Sequence, residues 1–172
     1  MAFADKLGSS YAGVKDQVKI KTVNIKVGEA SFDLKVRILL KREMEDLVAQ
    51  ISTPEPERVK AIYEKFAEPI RKSIDEGGED FLKSINAEKQ MIAVTDDDII
   101  LDGSSIKSVA NYTAMWEVKV EKYFGLLQSE TGEPITESFA QISEEFPESV
   151  IKLIIDEIDN VIKPTYKDVK KN

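Results

Sequence analysis

The sequence predicts an α+β fold, in which an N-terminal antiparallel β-hairpin is packed by about five amphipathic helices. Two periodicities support this prediction. Apolar Phe32, Leu34 and Val36 alternate with charged residues, as in a strand that buries one face. Helical spacing follows at once, at Met44, Leu47, Val48 and Ile51. The change of period near residue 40 marks the passage from strand to helix.

The preceding strand completes the hairpin. Val23, Ile25 and Val27 share one parity, whereas Val18 and Ile20 share the other. We therefore expect a bulge or bend near Lys21 and Thr22 that lets the apolar face switch sides. A short Gly28-Glu29-Ala30 connection favours antiparallel pairing with the next strand.

A longer helix follows the sequence Ser52-Thr53-Pro54-Glu55. Thr53 is a suitable N-cap and Pro54 suits the first helical position. We expect the helix to reach about Ala67 and to kink or restart at Pro69, which lacks a backbone donor. Gly77-Gly78 should then end the segment.

Short β-branched runs predict a second, short β-hairpin near residues 91–109, with strands at 91–94 and 98–101 and a turn at Asp102-Gly103. Ser104 and Ser105 lead either into a third short strand or straight into the next helix. Three further helices are predicted by apolar stripes that begin at Val109, Ile135 and Val150, and the last of these helices should end before Pro164.

The length of 172 residues suits one domain, which we place at residues 15–164 between a flexible N-terminal arm at 1–14 and a flexible C-terminal tail at 165–172. Without cysteine or histidine, the chain has no disulfide framework, no Cys or His zinc site and no Ser-His-Asp triad. The first residues do not resemble a secretory signal, and no apolar run approaches the length of a membrane span. We therefore expect a soluble cytoplasmic protein.

Charge makes a nucleic-acid partner unexpected, since the formal net charge is -8. Residues 15–42 nevertheless contain eight basic and three acidic side chains, a local balance of 8 - 3 = +5. One explanation is that strands expose lysine on their wet faces and edges. The other is a charge dipole that orders identical subunits head to tail, so the sequence leaves homo-oligomer formation open.

No catalytic residue, metal site or cofactor is predicted. Asp96, Asp97 and Asp98 with Asp102 form the one acidic cluster that invites a cation, yet Ile100 occupies a position that a calcium loop needs for a ligand. Adjacent carboxylates point in different directions, so a solvated turn explains them better. We therefore expect a protein that is not an enzyme.

A wide apolar face on the last helix is the strongest candidate for a partner contact. It exceeds what a surface helix needs, so part of it could meet another chain, although a core role is the default. The predicted partner-binding residues are Phe139, Phe146, Val150, Ile154 and Ile158.

Two blocks of sequence carry a resemblance to a known family. They are KVRILLKREMEDLVAQISTPEPERVKAIYEKFAEP and DDDIILDGSSIKSVANYTAMWEVKVEKYF, and with the spacing between them they cover roughly residues 31–125. This pattern resembles the tail assembly chaperones of long, non-contractile-tailed bacteriophages. It contains no invariant catalytic residues.

The resemblance implies a small acidic protein of the host cytoplasm that is not part of the finished virion. Such a protein binds the tape measure protein and keeps that long, apolar, helical rod soluble while tail tube subunits assemble around it. The family commonly makes a second, longer product by a -1 ribosomal slip, and its extension recruits the tail tube protein. The ending Lys170-Lys171-Asn172 requires A-rich codons, which are compatible with such a slip or with a plain solubilising tail.

Two other functions remain open. The protein could be a structural tail component, such as a tube or joining subunit, that stays in the virion. It could also be an unrelated cytoplasmic enzyme with a carboxylate site around Asp96–Asp102.

Overall fold

The computed structural model describes residues 17–87 and 91–163, with four residues of the first 14. The predicted tail at 165–172 and most of the predicted arm at 1–14 lie outside the described residues. The elements are β1 (Ile20–Val27), β2 (Ala30–Arg37), α1 (Lys41–Ser52), α2 (Pro56–Ile85), β3 (Ile92–Val94), β4 (Ile99–Leu101), β5 (Ser104–Ser105), α3 (Ile106–Phe124), α4 (Phe139–Glu145) and α5 (Glu148–Ile162). The predicted α+β class, with its N-terminal hairpin, is confirmed.

Two compact units divide the chain. The first combines Met1–Ala49 with Lys119–Asn172, and the second is Gln50–Val118. The division does not test whether either unit folds alone, so the single domain at 15–164 stays a prediction. None of the helices that the structure describes combines the length and apolar character needed to cross a bilayer.

The hairpin of the first unit pairs β1 with β2 residue for residue, from Ile20 opposite Arg37 to Val27 opposite Ala30. The predicted bulge near Lys21 and Thr22 is therefore wrong. Of the two residues with the other parity, Val18 lies outside the strand in a 3-10 turn at residues 17–19, and Ile20 is the half-buried first residue of β1. Gly28 opens the tight turn with a φ of 62°, a conformation that glycine adopts without steric cost.

Helix α5 covers β1 and supplies the core of the first unit. Four isoleucines of this helix are at most 2% exposed: Ile151, Ile154, Ile155 and Ile158. The edge of β2 that faces away from β1 is also partly paired. Arg37 N donates to Leu126 O (2.9 Å), and Gln128 N donates to Lys35 O (2.9 Å). The two-stranded hairpin is thus held on one face by a helix and on one edge by the segment after α3.

In the second unit, α2 begins later than predicted and runs past Ala67 and Pro69, whereas its break at Gly78 agrees with the predicted end at Gly77-Gly78. It begins at Pro56, with Glu55 at the N-cap position, so Thr53 and Pro54 precede the helix. The reason is that a residue before proline avoids the helical region, which keeps Glu55 extended (φ -59°, ψ 132°). The helix continues through Pro69 and breaks at Gly78 (φ 62°, ψ -162°), a backbone conformation essentially restricted to glycine.

The predicted second hairpin is confirmed as a three-stranded antiparallel sheet in the order β3-β4-β5. Asp102 and Gly103 both have positive φ, 46° and 79°, as a type I′ turn requires. Ser104–Ser105 therefore forms a short strand and leads directly into α3. Asn86 fixes the start of β3, because its side chain accepts hydrogen bonds from Met91 N and Ile92 N.

A charged cluster centred on Asp159 joins the last turns of α3 to α5. The Tyr123 hydroxyl donates to Asp159 Oδ1 (2.6 Å) and the Lys119 ammonium to Asp159 Oδ2 (2.6 Å). Lys163 lies 3.0 Å from Oδ1. Burial opposes ionisation of Asp159, but these hydrogen bonds outweigh it and hold its pKa below the ordinary value. Burial and the neighbouring carboxylate raise the pKa of Tyr123.

Replacing this carboxylate should destabilise the fold in a pH-dependent way. We expect Asp159→Asn to lower the free energy of unfolding by about 1–3 kcal/mol at pH 7, because Lys119 and Tyr123 lose a charged acceptor. Since the folded pKa is depressed, the contribution is present above the ordinary value of 3.8 and is lost as pH falls through the lower folded value.

Urea denaturation at a series of pH values measures this effect. Asp156→Asn is the matched control, because Asp156 is an exposed aspartate of the same helix. The stabilising role of Asp159 would be contradicted if the loss of unfolding free energy in Asp159→Asn did not decrease at acidic pH, or if Asp156→Asn showed an equal loss.

Candidate functional site

An apolar groove of about 600 Å³ lies within the first unit. It is partly open to solvent and combines residues from β2, the segment after α3, and helices α4 and α5. Its apolar lining consists of Phe32, Leu34, Phe124, Leu127, Ile135, Ile142, Phe146 and Ile154. Its polar lining consists of Gln128, Ser129, Glu130, Glu137, Gln141 and Glu145. A groove of this volume is within the size range of protein ligand sites.

The alternating pattern of β2 creates one wall of the groove. Phe32, Leu34 and Val36 share one face of the strand, and their exposure rises toward the hairpin turn. Val36 is fully buried, Leu34 is half-buried, and Phe32 is 38% exposed. Ile25, which pairs with Phe32 across the hairpin, is only 1% exposed, so the core of the first unit covers this face at β1 and leaves Phe32 of β2 partly open.

Helix α4 forms another wall, and its position is fixed by two sets of hydrogen bonds. Ser138 and Gln141 make a reciprocal capping box, in which each side chain accepts from the other residue's backbone N–H. Phe139 N also donates to a carboxylate oxygen of Glu121 on α3 (2.9 Å). These contacts anchor the start of a helix that contributes Ile142 and Glu145 to the groove.

Two aromatic rings contribute to the apolar lining. Phe124 at the end of α3 and Phe146 at the end of α4 meet edge to face, with centroids 5.7 Å apart and planes at 72°. Ile154 of α5 also contributes to the lining and is fully buried. Because these groups pack against each other, this part of the groove is formed without a bound partner.

The polar lining is acidic. Glu130, Glu137 and Glu145 are exposed, and no lysine or arginine is among the described residues that line the groove. Glu137 is oriented by a hydrogen bond from Thr136 N (2.8 Å). The groove can therefore bury apolar side chains of a partner while it places negative charge beside them.

The structure brings only some of the predicted partner-binding residues to this groove. Phe146 and Ile154 line the groove. Phe139 and Val150 are half-buried and are not among its lining residues. Ile154 and Ile158 are both fully buried. Whether any of the five contacts a partner stays a prediction.

Sequence reasoning missed Phe32 and Leu34 as groove residues. Their alternation identified an apolar strand face, which was expected to be covered by helices. Phe32 is 38% exposed although its cross-strand partner Ile25 is buried, so its exposure depends on which strand the other elements pack against. Periodicity within one strand contains no information about that.

The acidic cluster considered for a metal has a structural role at Asp98. One carboxylate oxygen accepts from Ile99 N (2.8 Å) and Lys107 N (3.0 Å), and the other accepts from the Ser105 hydroxyl. Burial opposes ionisation, but these bonds lower the pKa of Asp98 below its ordinary value. Ser105 caps α3 by accepting from Ser108 N (3.0 Å). In the described part of the chain, no acidic side chains are grouped as a metal ion would need.

Truncating Asp98 should therefore reduce stability by loss of helix capping. We expect Asp98→Ala to lower the free energy of unfolding by about 1–3 kcal/mol, because two backbone donors and the Ser105 hydroxyl lose their acceptor. Asp96→Ala, an exposed residue of the same cluster, should change it by less than about 0.5 kcal/mol. Chemical denaturation with and without added Mg²⁺ or Ca²⁺ measures both effects. Stabilisation of the parent by either cation, abolished in Asp98→Ala, would contradict the structural role.

No protein-family model, curated protein or solved structure matches this chain. The lining of the groove favours the binding of an apolar or amphipathic partner.

Proposed function

We propose that this protein is a phage tail assembly chaperone that binds the tape measure protein, keeps it soluble and helps recruit tail tube subunits. The observation that supports the proposal best is the apolar groove of the first unit with its acidic lining. The sequence resemblance over roughly residues 31–125 suggests the client.

A groove of this kind suits an apolar helical client. An amphipathic helix places every third or fourth side chain on one face, and such a face can insert into a groove as a row of anchors. Each anchor that leaves water stabilises the complex by about 1.5–3 kcal/mol before the costs of association. Such contacts need no reactive group and remain reversible, as release during assembly requires.

The net charge of the chain supports the other part of the proposed role, which is to keep the complex with the client soluble. A net charge of -8 on 172 residues repels other copies of the same complex. The chaperone would act in the host cytoplasm, in one or several copies on each tape measure protein, and be absent from the mature virion. A longer form made by ribosomal slippage would recruit tail tube subunits.

Disrupting the groove should reduce capture of the tape measure protein. We expect Phe32→Asp to weaken this binding by roughly tenfold to a hundredfold, because it replaces one partly exposed anchor surface with a charge. Val18→Asp is the matched control, since Val18 is 52% exposed and does not line the groove. Pull-down of co-expressed tape measure protein by the tagged full chain measures binding, and circular dichroism establishes that both variants are folded.

Two results would contradict the proposal. Failure of the parent chain to bind the tape measure protein at micromolar concentration would remove the client. Mass spectrometry of purified virions that finds the chain as a stoichiometric component would favour a structural tail subunit instead.

A further inference from the structure

We propose that the groove is selective for cationic amphipathic helices, in which the apolar stripe is flanked by lysine or arginine. This inference rests on the proposed function for the identity of the client and specifies which class of tape measure segment is bound. It is based on charge complementarity with the carboxylates that line the groove.

The negative charge comes from three separate positions around the apolar lining. Glu130 lies in the loop after α3, Glu137 precedes the α4 cap, and Glu145 is the last residue of α4. Each is exposed, so a partner's cation can reach it without burying a carboxylate. A helix that inserts apolar side chains among them brings its flanking residues close to these charges.

These carboxylates differ from Glu43, Glu148 and Asp159 of the same unit, each of which pairs with a cation of the chain. Glu43 pairs with Arg37 (2.8 Å), Glu148 with Lys152 (2.7 Å), and Asp159 with Lys119 (2.6 Å). Within the described residues, neither Glu130 nor Glu145 has such an ion pair. The groove therefore presents negative charge that a partner can compensate.

The sign of the charge determines which occupants are disfavoured. A helix flanked by glutamate or aspartate would place like charges together beside an apolar surface, where water screens them less than in bulk. A neutral helix would gain the apolar contacts alone. The expected order of affinity is cationic, then neutral, then anionic.

Synthetic helices test this order on the full chain. Three fluorescein-labelled peptides of about 18 residues, roughly five helical turns, share one leucine stripe and differ only in whether the flanking positions are Lys, Gln or Glu. We expect the Lys peptide to bind about tenfold or more tightly than the Glu peptide at low ionic strength. The difference should shrink as salt is added, because exposed ion pairs are screened. Fluorescence anisotropy measures each affinity.

A pair of double variants tests the residues responsible. Glu130→Gln with Glu145→Gln should weaken binding of the Lys peptide by about threefold to tenfold and leave the Gln peptide unchanged, because glutamine is isosteric but neutral. The matched control, Glu29→Gln with Glu144→Gln, removes two exposed charges of the same unit that do not line the groove. The control should bind all three peptides as the parent does.

Failure of the inference is distinguishable from failure of the proposed function. Equal affinity for the three peptides, or an equal loss in both double variants, overturns the charge selectivity. The charge selectivity is also overturned if the chain self-associates and the Lys peptide disrupts this self-association, because a second copy of the chain would then occupy the groove. If the chain captures the tape measure protein and the Lys peptide does not reduce this capture, the charge-selectivity inference fails and the chaperone proposal stands. If the peptides bind in the expected order and the tape measure protein does not, the client is wrong and the charge selectivity stands.

Discussion

The first unit depends on one constraint, which is that a two-stranded hairpin cannot bury its apolar face by itself. In this protein α5 meets that need, because its isoleucines lie against β1 and are almost completely removed from water. Asp159 of the same helix accepts hydrogen bonds from Lys119 and Tyr123 of α3, which fixes α5 laterally. The segment after α3 then pairs with the open edge of β2. Hairpin, α3 and α5 are therefore mutually dependent.

The same packing explains why a groove exists. Val36 of β2 is fully buried and Ile25 of β1 is 1% exposed, but Phe32, which pairs with Ile25, is 38% exposed, so the apolar face is only partly covered at this position of β2. Helix α4 is held beside this face by its capping box and by Glu121, and does not close over it. A groove made in this way is lined by preformed surfaces. It can receive a partner at little cost in conformational entropy.

The distribution of charge follows a related logic. Asp159 and Glu148 of the first unit are compensated by nearby cations, Lys119 and Lys152. Glu130, Glu137 and Glu145 of the groove are exposed. For the proposed chaperone function, this arrangement would combine apolar attraction for an amphipathic client with charge that limits aggregation.

The type and order of the elements could be predicted from the sequence: the hairpin, the small antiparallel sheet with its Asp102-Gly103 turn, and the helices with their apolar faces. These features are encoded locally, by periodicity of 2 or 3.6 and by turn chemistry. Local signals also failed in places. Thr53-Pro54 resembled a helix start, but Glu55 and Pro56 provide it, and the helix continues through Pro69 to its break at Gly78, where the glycine pair predicted an end. Tertiary structure alone decided that Ile158 is core while Phe32 faces a groove, because exposure depends on how far one element extends over another.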